Sequence, residues 1–234
     1  AVLEEAPPGV GGVGAGALGA APDHGDARPI AVAFRPDPET PRTPTGDRAR
    51  FEANLAAIRM LRTLEEEDRP ATAAEQLVLA GWSSWGAIPA VFDERDPAWA
   101  AERDLLQELL SEAEYTQARR TVLSAYYTDP TYVAAIWQTL TDLGFAGGRV
   151  LEPGCGSGTF LGLAPEGARV VGVELDSTSA RIARALYPQH QVRAESFADT
   201  RFAGGWFDAT VGNVPFADIA LHDPVDNANR HSIH

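Results

Sequence analysis

Hydrophobic positions recur at helical spacing in the first half of the chain and at strand spacing in the second. Phe51, Leu55, Ile58, Leu61 and Leu64 fall three or four apart, which predicts a helix from about Gly46 to Glu67 with one apolar side. The run Glu65-Glu66-Glu67 crowds like charge into its last turn, where the helix dipole disfavours it. Thr72 and Glu75 have capping-box spacing and predict a short helix through Leu79, and Ser111 and Glu114 repeat the signal before a helix ending near Thr121. Asp96-Pro97 starts another helix, with proline where a missing N–H costs nothing, and Leu105, Leu106, Leu109 and Leu110 give it an apolar side.

From Arg149 the rhythm changes. Val150-Leu151 enters a glycine-rich stretch, Val170 to Val173 is a second short strand ending at Glu174, and Gln191–Ala194 and Ala209–Val211 are a third and fourth. Residues 178–187 form a helix between the second and third. Strand–helix alternation predicts an α/β fold with a parallel sheet. Four strands are few for a nucleotide-binding fold, and the chain lacks an initiator Met, so it reads as a fragment truncated within the sheet. The expected division is a flexible Gly/Ala/Pro-rich leader over 1–45, a helical region over 46–125, and an α/β core over 126–234. Pro36, Pro38, Pro41 and Pro44 interrupt regular structure in the leader, which reads as a flexible linker, with an arm wrapped on its own domain or on a partner as the alternative. Trp82 and Trp85, within Gly81 to Gly86, can stack on nucleobases, but pinning neighbouring helices is the stronger expectation.

Composition narrows the function. The chain has 234 residues, 33 acids, 19 basic residues and a net charge of −14. Every basic residue is arginine, so no lysine can serve as base or Schiff-base nucleophile. A single cysteine excludes a disulfide scaffold, and the acidity, concentrated in residues 51–148, argues against a module that grips nucleic acid over its whole surface. No apolar run approaches the roughly 18 residues of a membrane helix, and Gly9 to Ala21 lacks the basic flank of a secretory signal. A cytoplasmic setting is expected.

The chemistry begins at Glu152-Pro153-Gly154-Cys155-Gly156-Ser157-Gly158. Alternating glycines permit positive φ and close approach of a ligand, and Glu174 ends the next strand where an acid can accept hydrogen bonds from ribose hydroxyls. Those two features allow NAD, FAD or S-adenosylmethionine. Glu152 would repel pyrophosphate but suits the cationic end of S-adenosylmethionine, which favours the methyl donor. No Gly-Lys-Ser/Thr sequence follows, so an ATP-type phosphate loop is absent. Downstream, Asn213-Val214-Pro215-Phe216 follows the fourth strand. The Asn213 amide oxygen and the Val214 carbonyl can each accept a hydrogen from an amino group, and Phe216 can stack on a flat target.

Together with Tyr126-Tyr127-Thr128-Asp129-Pro130, these motifs resemble the DNA adenine-N6 methyltransferases, which use S-adenosylmethionine. Within that family the chain looks like the N-terminal methylase part of large helicase-fused proteins of phages, plasmids and mobile elements. The resemblance covers about residues 126–234 and extends over the helical region. It implies a Rossmann-like S-adenosylmethionine-dependent methyltransferase fold preceded by helices. It assigns Tyr127, Thr128 and Pro130 to closure over the methionine part of the cofactor and Cys155 to packing. Glu195 matches the polar position near the adenine amino group, with Phe197 a ring neighbour. The family tetrapeptide more often has proline where Val214 stands; valine keeps the carbonyl that matters, and Pro215 holds it extended.

DNA methylation at such a site implies a flipped adenine. Arg193, Arg201 and Arg230 are candidate phosphate contacts, with target recognition and a helicase expected beyond the chain. Protein glutamine-N5 methylation is an alternative, as is a non-catalytic methylase-like module of a helicase. Cytosine-C5 chemistry is disfavoured because it needs a nucleophilic cysteine outside the donor loop. His222, Asp223, Asp226, His231 and His234 have irregular spacing for zinc, and no metal is expected.

Overall fold

In the computed structural model, residues 31–40, 43–122 and 127–213 are described. Four parallel strands, β1 (Gly148–Pro153), β2 (Ala168–Glu174), β3 (Gln191–Ala194) and β4 (Ala209–Thr210), form a sheet in the order β3-β2-β1-β4. The chain moves outward from β1 through β2 to β3, then returns to the other side of β1. The C-terminal ends of β1 and β4 therefore flank the point where the strand order reverses, the place where open α/β sheets bind ligands. Val150, Val170, Val173 and Val192 fill the sheet core, as expected for strands covered on both faces.

The helices form where local signals place them. Helix α1 (Asp47–Glu66) buries Phe51, Leu55, Ile58, Leu61 and Leu64. Both predicted capping boxes are present: Thr72 opens α2 (Ala73–Leu79) and Ser111 opens α4 (Glu112–Thr121). Asp96 caps a 3-10 turn at Pro97–Trp99 that leads into α3 (Ala100–Leu109). Each such cap contributes about 1 kcal/mol. Asp129 caps α5 (Pro130–Asp142), which meets the short α6 (Thr159–Gly162) through a hydrogen bond from Trp137 Nε1 to the Phe160 carbonyl, 3.0 Å.

Helix α7 (Ser177–Leu186), the crossover between β2 and β3, joins the two halves of the molecule. Helices α1, α2 and α4 all pack on it. Arg181 of α7 pairs with Glu65 of α1 and, at 2.8 Å, with Glu114 of α4. The acidic run at the end of α1 is thus answered partly by a cation from the α/β half. Burial of Trp82, Trp85 and Trp99 places the tryptophans in the core, with Trp82 and Trp85 edge to face at 5.6 Å.

Where it is described, the leader takes the form of the wrapped arm rather than the flexible linker. Phe34 is buried, its N–H bonds the Leu186 carbonyl at 2.8 Å, and its ring lies 6.3 Å from that of Tyr187. Gln76 of α2 donates to the Val32 carbonyl. Residues 31–36 are therefore an arm laid along the end of α7, because one aromatic and two backbone groups find partners there. Among the described residues no helix is long and apolar enough to cross a membrane. Replacing Phe34 with Ala should cost about 3 kcal/mol of stability in urea unfolding; a change within about 0.5 kcal/mol would show that the arm adds nothing.

Candidate active site

The loop after β1 is shaped by two glycines with different duties. Gly154 has φ +69 and open space where a Cβ would stand, so its exposed backbone is free for close approach. Gly156 has φ +56, and a Cβ there would lie 2.9 Å from Tyr127 Cδ1 and closer still to Cε1. The second glycine therefore accommodates a protein ring rather than leaving room for a ligand. Cys155 is buried between them with its sulfur packed toward Gly172, and burial pushes its thiol well up. That is a packing environment, opposite to the one that activates a nucleophilic thiolate.

Glu174, at the end of β2, holds the loop in place. Its Oε2 accepts from the Gly156 N–H and its Oε1 from the Asp176 N–H, both at 2.7 Å. Each oxygen retains a lone pair for ribose hydroxyls. Burial raises this carboxyl, and the two backbone donors oppose the rise. Leu175, the next residue, is an exposed apolar side chain beside it.

Glu152 is the most constrained group in the site. It lies near the end of β1, is 3% exposed, and its Oε2 is buried without a hydrogen-bond partner. Burial, reinforced by the nearby Glu174 charge, raises its carboxyl well above the ordinary value. A buried polar atom without a partner is costly and points to a missing ligand group. Glu152 shares a small cavity with Tyr127, Thr128, Gly154, Cys155, Thr159, Phe160 and Asn213. Asn213, three residues beyond β4, thus lines the same cavity as the glycine loop after β1.

Other predicted residues sit less directly. Pro130 is the first residue of α5, directly after the Asp129 cap, and Thr128 lines the cleft. Glu195 follows β3, where its Oε1 accepts from the Thr200 hydroxyl at 2.9 Å and pairs with Arg193 at 2.7 Å. Phe197 is exposed nearby. Arg193 also stacks on Phe202, and Arg201 bonds the Ala198 and Thr200 carbonyls, so both guanidiniums have local partners. Tyr126, Val214, Pro215, Phe216, Arg230 and the cluster His222, Asp223, Asp226, His231 and His234 lie outside the described residues.

Asp176 and Ser179 escaped the sequence reading, as did the polar role of Trp82. Asp176 caps α7 and accepts from both the N–H and the hydroxyl of Ser179, and Ser179 in turn meets Trp82 and Tyr127. The Asp176-to-Ser179 spacing is itself a cap signal that could have flagged the first two. Nothing local marks the hydrogen bonds of Trp82, whose partners lie 45 and 97 residues away.

The raised Glu152 carboxyl gives a pH prediction. A folded-state value above the unfolded one contributes stability below the ordinary carboxylate value, and that stability is lost as pH rises toward the raised one. Glu152→Gln should therefore melt higher than the parent at neutral pH without ligand, and the gap should close on acidification toward pH 4. Thermal unfolding across that range measures it; an equal or lower melting temperature at neutral pH would contradict the burial of an uncompensated carboxylate.

Residues 151–225 match a family described as a methyltransferase domain. The chain is 31% identical over 172 residues to the defense against restriction protein B of Escherichia phage P1, a match covering 73% of this chain and 6% of the phage protein. Among solved structures, an amino pentose methyltransferase from Micromonospora echinaspora aligns at 25% identity with a TM-score of 0.33, covering 44% of this chain and 43% of that one. A magnesium protoporphyrin IX methyltransferase from Synechocystis aligns at 17% with a TM-score of 0.32, covering 47% and 57%. The orphaned Glu152 oxygen fits a cationic ligand group, and the uncovered Gly154 fits close approach of one. The α/β half of the chain is thus a Rossmann-like methyltransferase fold with S-adenosylmethionine as its cofactor.

Proposed function

We propose that this chain is the methylating part of a DNA adenine-N6 methyltransferase. The observation that carries the reading is the position of Asn213: it follows β4 and lines one cavity with Glu152, Gly154, Tyr127 and Thr128. An acceptor amide beside the donor loop suits an amine substrate. S-adenosylmethionine supplies, when bound, an electrophilic methyl group on a sulfonium centre. Glu152 offers negative charge to the cationic part of that cofactor, and Glu174 offers lone pairs to its ribose.

On the substrate side, the Asn213 amide oxygen accepts one hydrogen of the target amine, and the carbonyl of Val214 accepts the other. Two acceptors orient the nitrogen lone pair and raise its electron density, so no strong base has to act before attack. The order of the motifs and the Asn-Val-Pro-Phe sequence support adenine N6 as that amine. The name of the phage P1 relative, defense against restriction, supports a DNA substrate. That protein is much longer than the matched segment, in keeping with target recognition and helicase functions housed in other parts of such a polypeptide.

Incubating the protein with isotopically labelled cofactor and adenine-containing DNA, then digesting to nucleosides for mass spectrometry, should yield N6-methyldeoxyadenosine. Asn213→Ala should lower the yield roughly 100-fold while leaving S-adenosylhomocysteine affinity within about twofold. Label in glutamine of a peptide substrate instead would make the protein a glutamine-N5 methyltransferase. Cofactor binding with transfer to neither would make it a non-catalytic module.

A further inference from the structure

We propose that Trp82 of the helical region is a positioning residue of the cofactor site, whose indole N–H sets how Tyr127 lies on the glycine loop. Trp82 sits on the turn that follows α2. Two residues on, Ser84 has φ +56, a conformation rare for a non-glycine residue. The turn is held by Asn54, fully buried on α1. The Asn54 amide nitrogen donates to the Ser84 carbonyl at 2.6 Å, and its oxygen accepts from the Ser83 N–H at 2.9 Å and the Ser83 hydroxyl at 3.3 Å. A strained turn persists only when its surroundings over-determine it. Here the determined outcome is the direction of the Trp82 indole, which leaves the helical core toward α7.

The hydrogen bonds at its end have only one consistent assignment. The indole N–H can only donate, and it reaches Ser179 Oγ at 2.9 Å and Tyr127 Oη at 3.1 Å. The Ser179 hydroxyl gives its hydrogen to Asp176 Oδ2, so it can only accept from Trp82 and Tyr127. Tyr127 must then donate to Ser179, across 3.0 Å. Trp82, Ser179 and Asp176 are all buried, where each of these bonds is strong and each loss is felt. The Tyr127 ring lies on Gly156, whose N–H is the one that Glu174 holds. One chain of contacts therefore runs from Asn54, through the turn and Trp82, to the loop that approaches the cofactor. A buried indole N–H needs an acceptor wherever it packs; what sets this one apart is that its two acceptors are Tyr127, which lines the cleft, and the Ser179 hydroxyl that Tyr127 also meets.

The test uses Trp82→Phe, which keeps a ring and removes the donor, together with Tyr127→Phe and the double variant. Ile88→Val serves as the control, since it trims the same helical core without touching the network. The first readout, hydrogen exchange of the 154–158 amides without ligand, does not depend on the cofactor reading; the second, S-adenosylhomocysteine affinity by calorimetry, rests on it. Trp82→Phe should speed exchange of the loop and weaken affinity, each by about fivefold. The double variant should be no weaker than about the worse single one, because the two groups act as a unit. Ile88→Val should lower the melting temperature and leave both readouts in place. Parental exchange and affinity in Trp82→Phe, or equal changes in Ile88→Val, would overturn the proposal. If the parent bound no S-adenosylhomocysteine, the cofactor reading would fall, and the exchange comparison would still decide the role of Trp82.

Discussion

One carboxylate makes the glycine loop a site. Glu174 accepts a backbone N–H from the loop after β1 with one oxygen and a backbone N–H from the turn after β2 with the other. Parallel strands bring the two turns to the same edge, but neighbouring strands fix only strand register, not the path of the connections beyond them. Glycines with positive φ would leave that path loose, since glycine has the most conformational freedom to lose. The bridging acid removes the freedom, and the ring of Tyr127 packs against the same loop at Gly156. What remains exposed is Gly154, the one position of the turn where a Cβ would meet nothing.

The sequence carries local information well and distant information poorly. Capping boxes at Thr72 and Ser111, the apolar side of α1 and the four strands all rest on neighbours within a few residues, and the structure has each of them. Phe34 is invisible on those terms. It stands alone among prolines and charges, and its partners Leu186 and Tyr187 are some 150 residues away. The tryptophans fall between these cases. Their richness in a short turn pointed to a core, which is where they lie, but not to the single polar atom by which Trp82 leaves that core. In the site, motif spacing located Glu152, Gly154 and Glu174, while the burial that perturbs Glu152 is a property of packing around β1 that no spacing encodes.

This division also places the charge. The acidity is concentrated in residues 51–148, of whose helices α1, α2 and α4 pack on α7, where Arg181 answers Glu65 and Glu114. Arg193 and Arg201, on the α/β side, are spent on Glu195, Phe202 and nearby carbonyls. A polyanion meeting Arg193 and Arg201 would have to compete with those partners, and phosphate contacts supply much of the affinity of DNA-binding proteins. Under the proposed function, these two arginines contribute less grip on DNA than their charge suggests.

The electrostatics of the cleft favour one kind of ligand. Glu152, Glu174 and Asp176 lie close together, each with its carboxyl raised by burial, and Glu174 raises Glu152 further by its charge. Backbone and hydroxyl donors compensate Glu174 and Asp176. Glu152 keeps one oxygen with no such compensation. A pyrophosphate would add negative charge to a cluster that already holds its protons too tightly. A cationic ligand reverses the balance: it lowers the carboxyl toward ionisation and gains an attraction strengthened by the dry surroundings. The same burial that makes Glu152 a liability by itself makes it selective for positive charge, which a methyl-bearing sulfonium cofactor carries and a dinucleotide phosphate bridge does not.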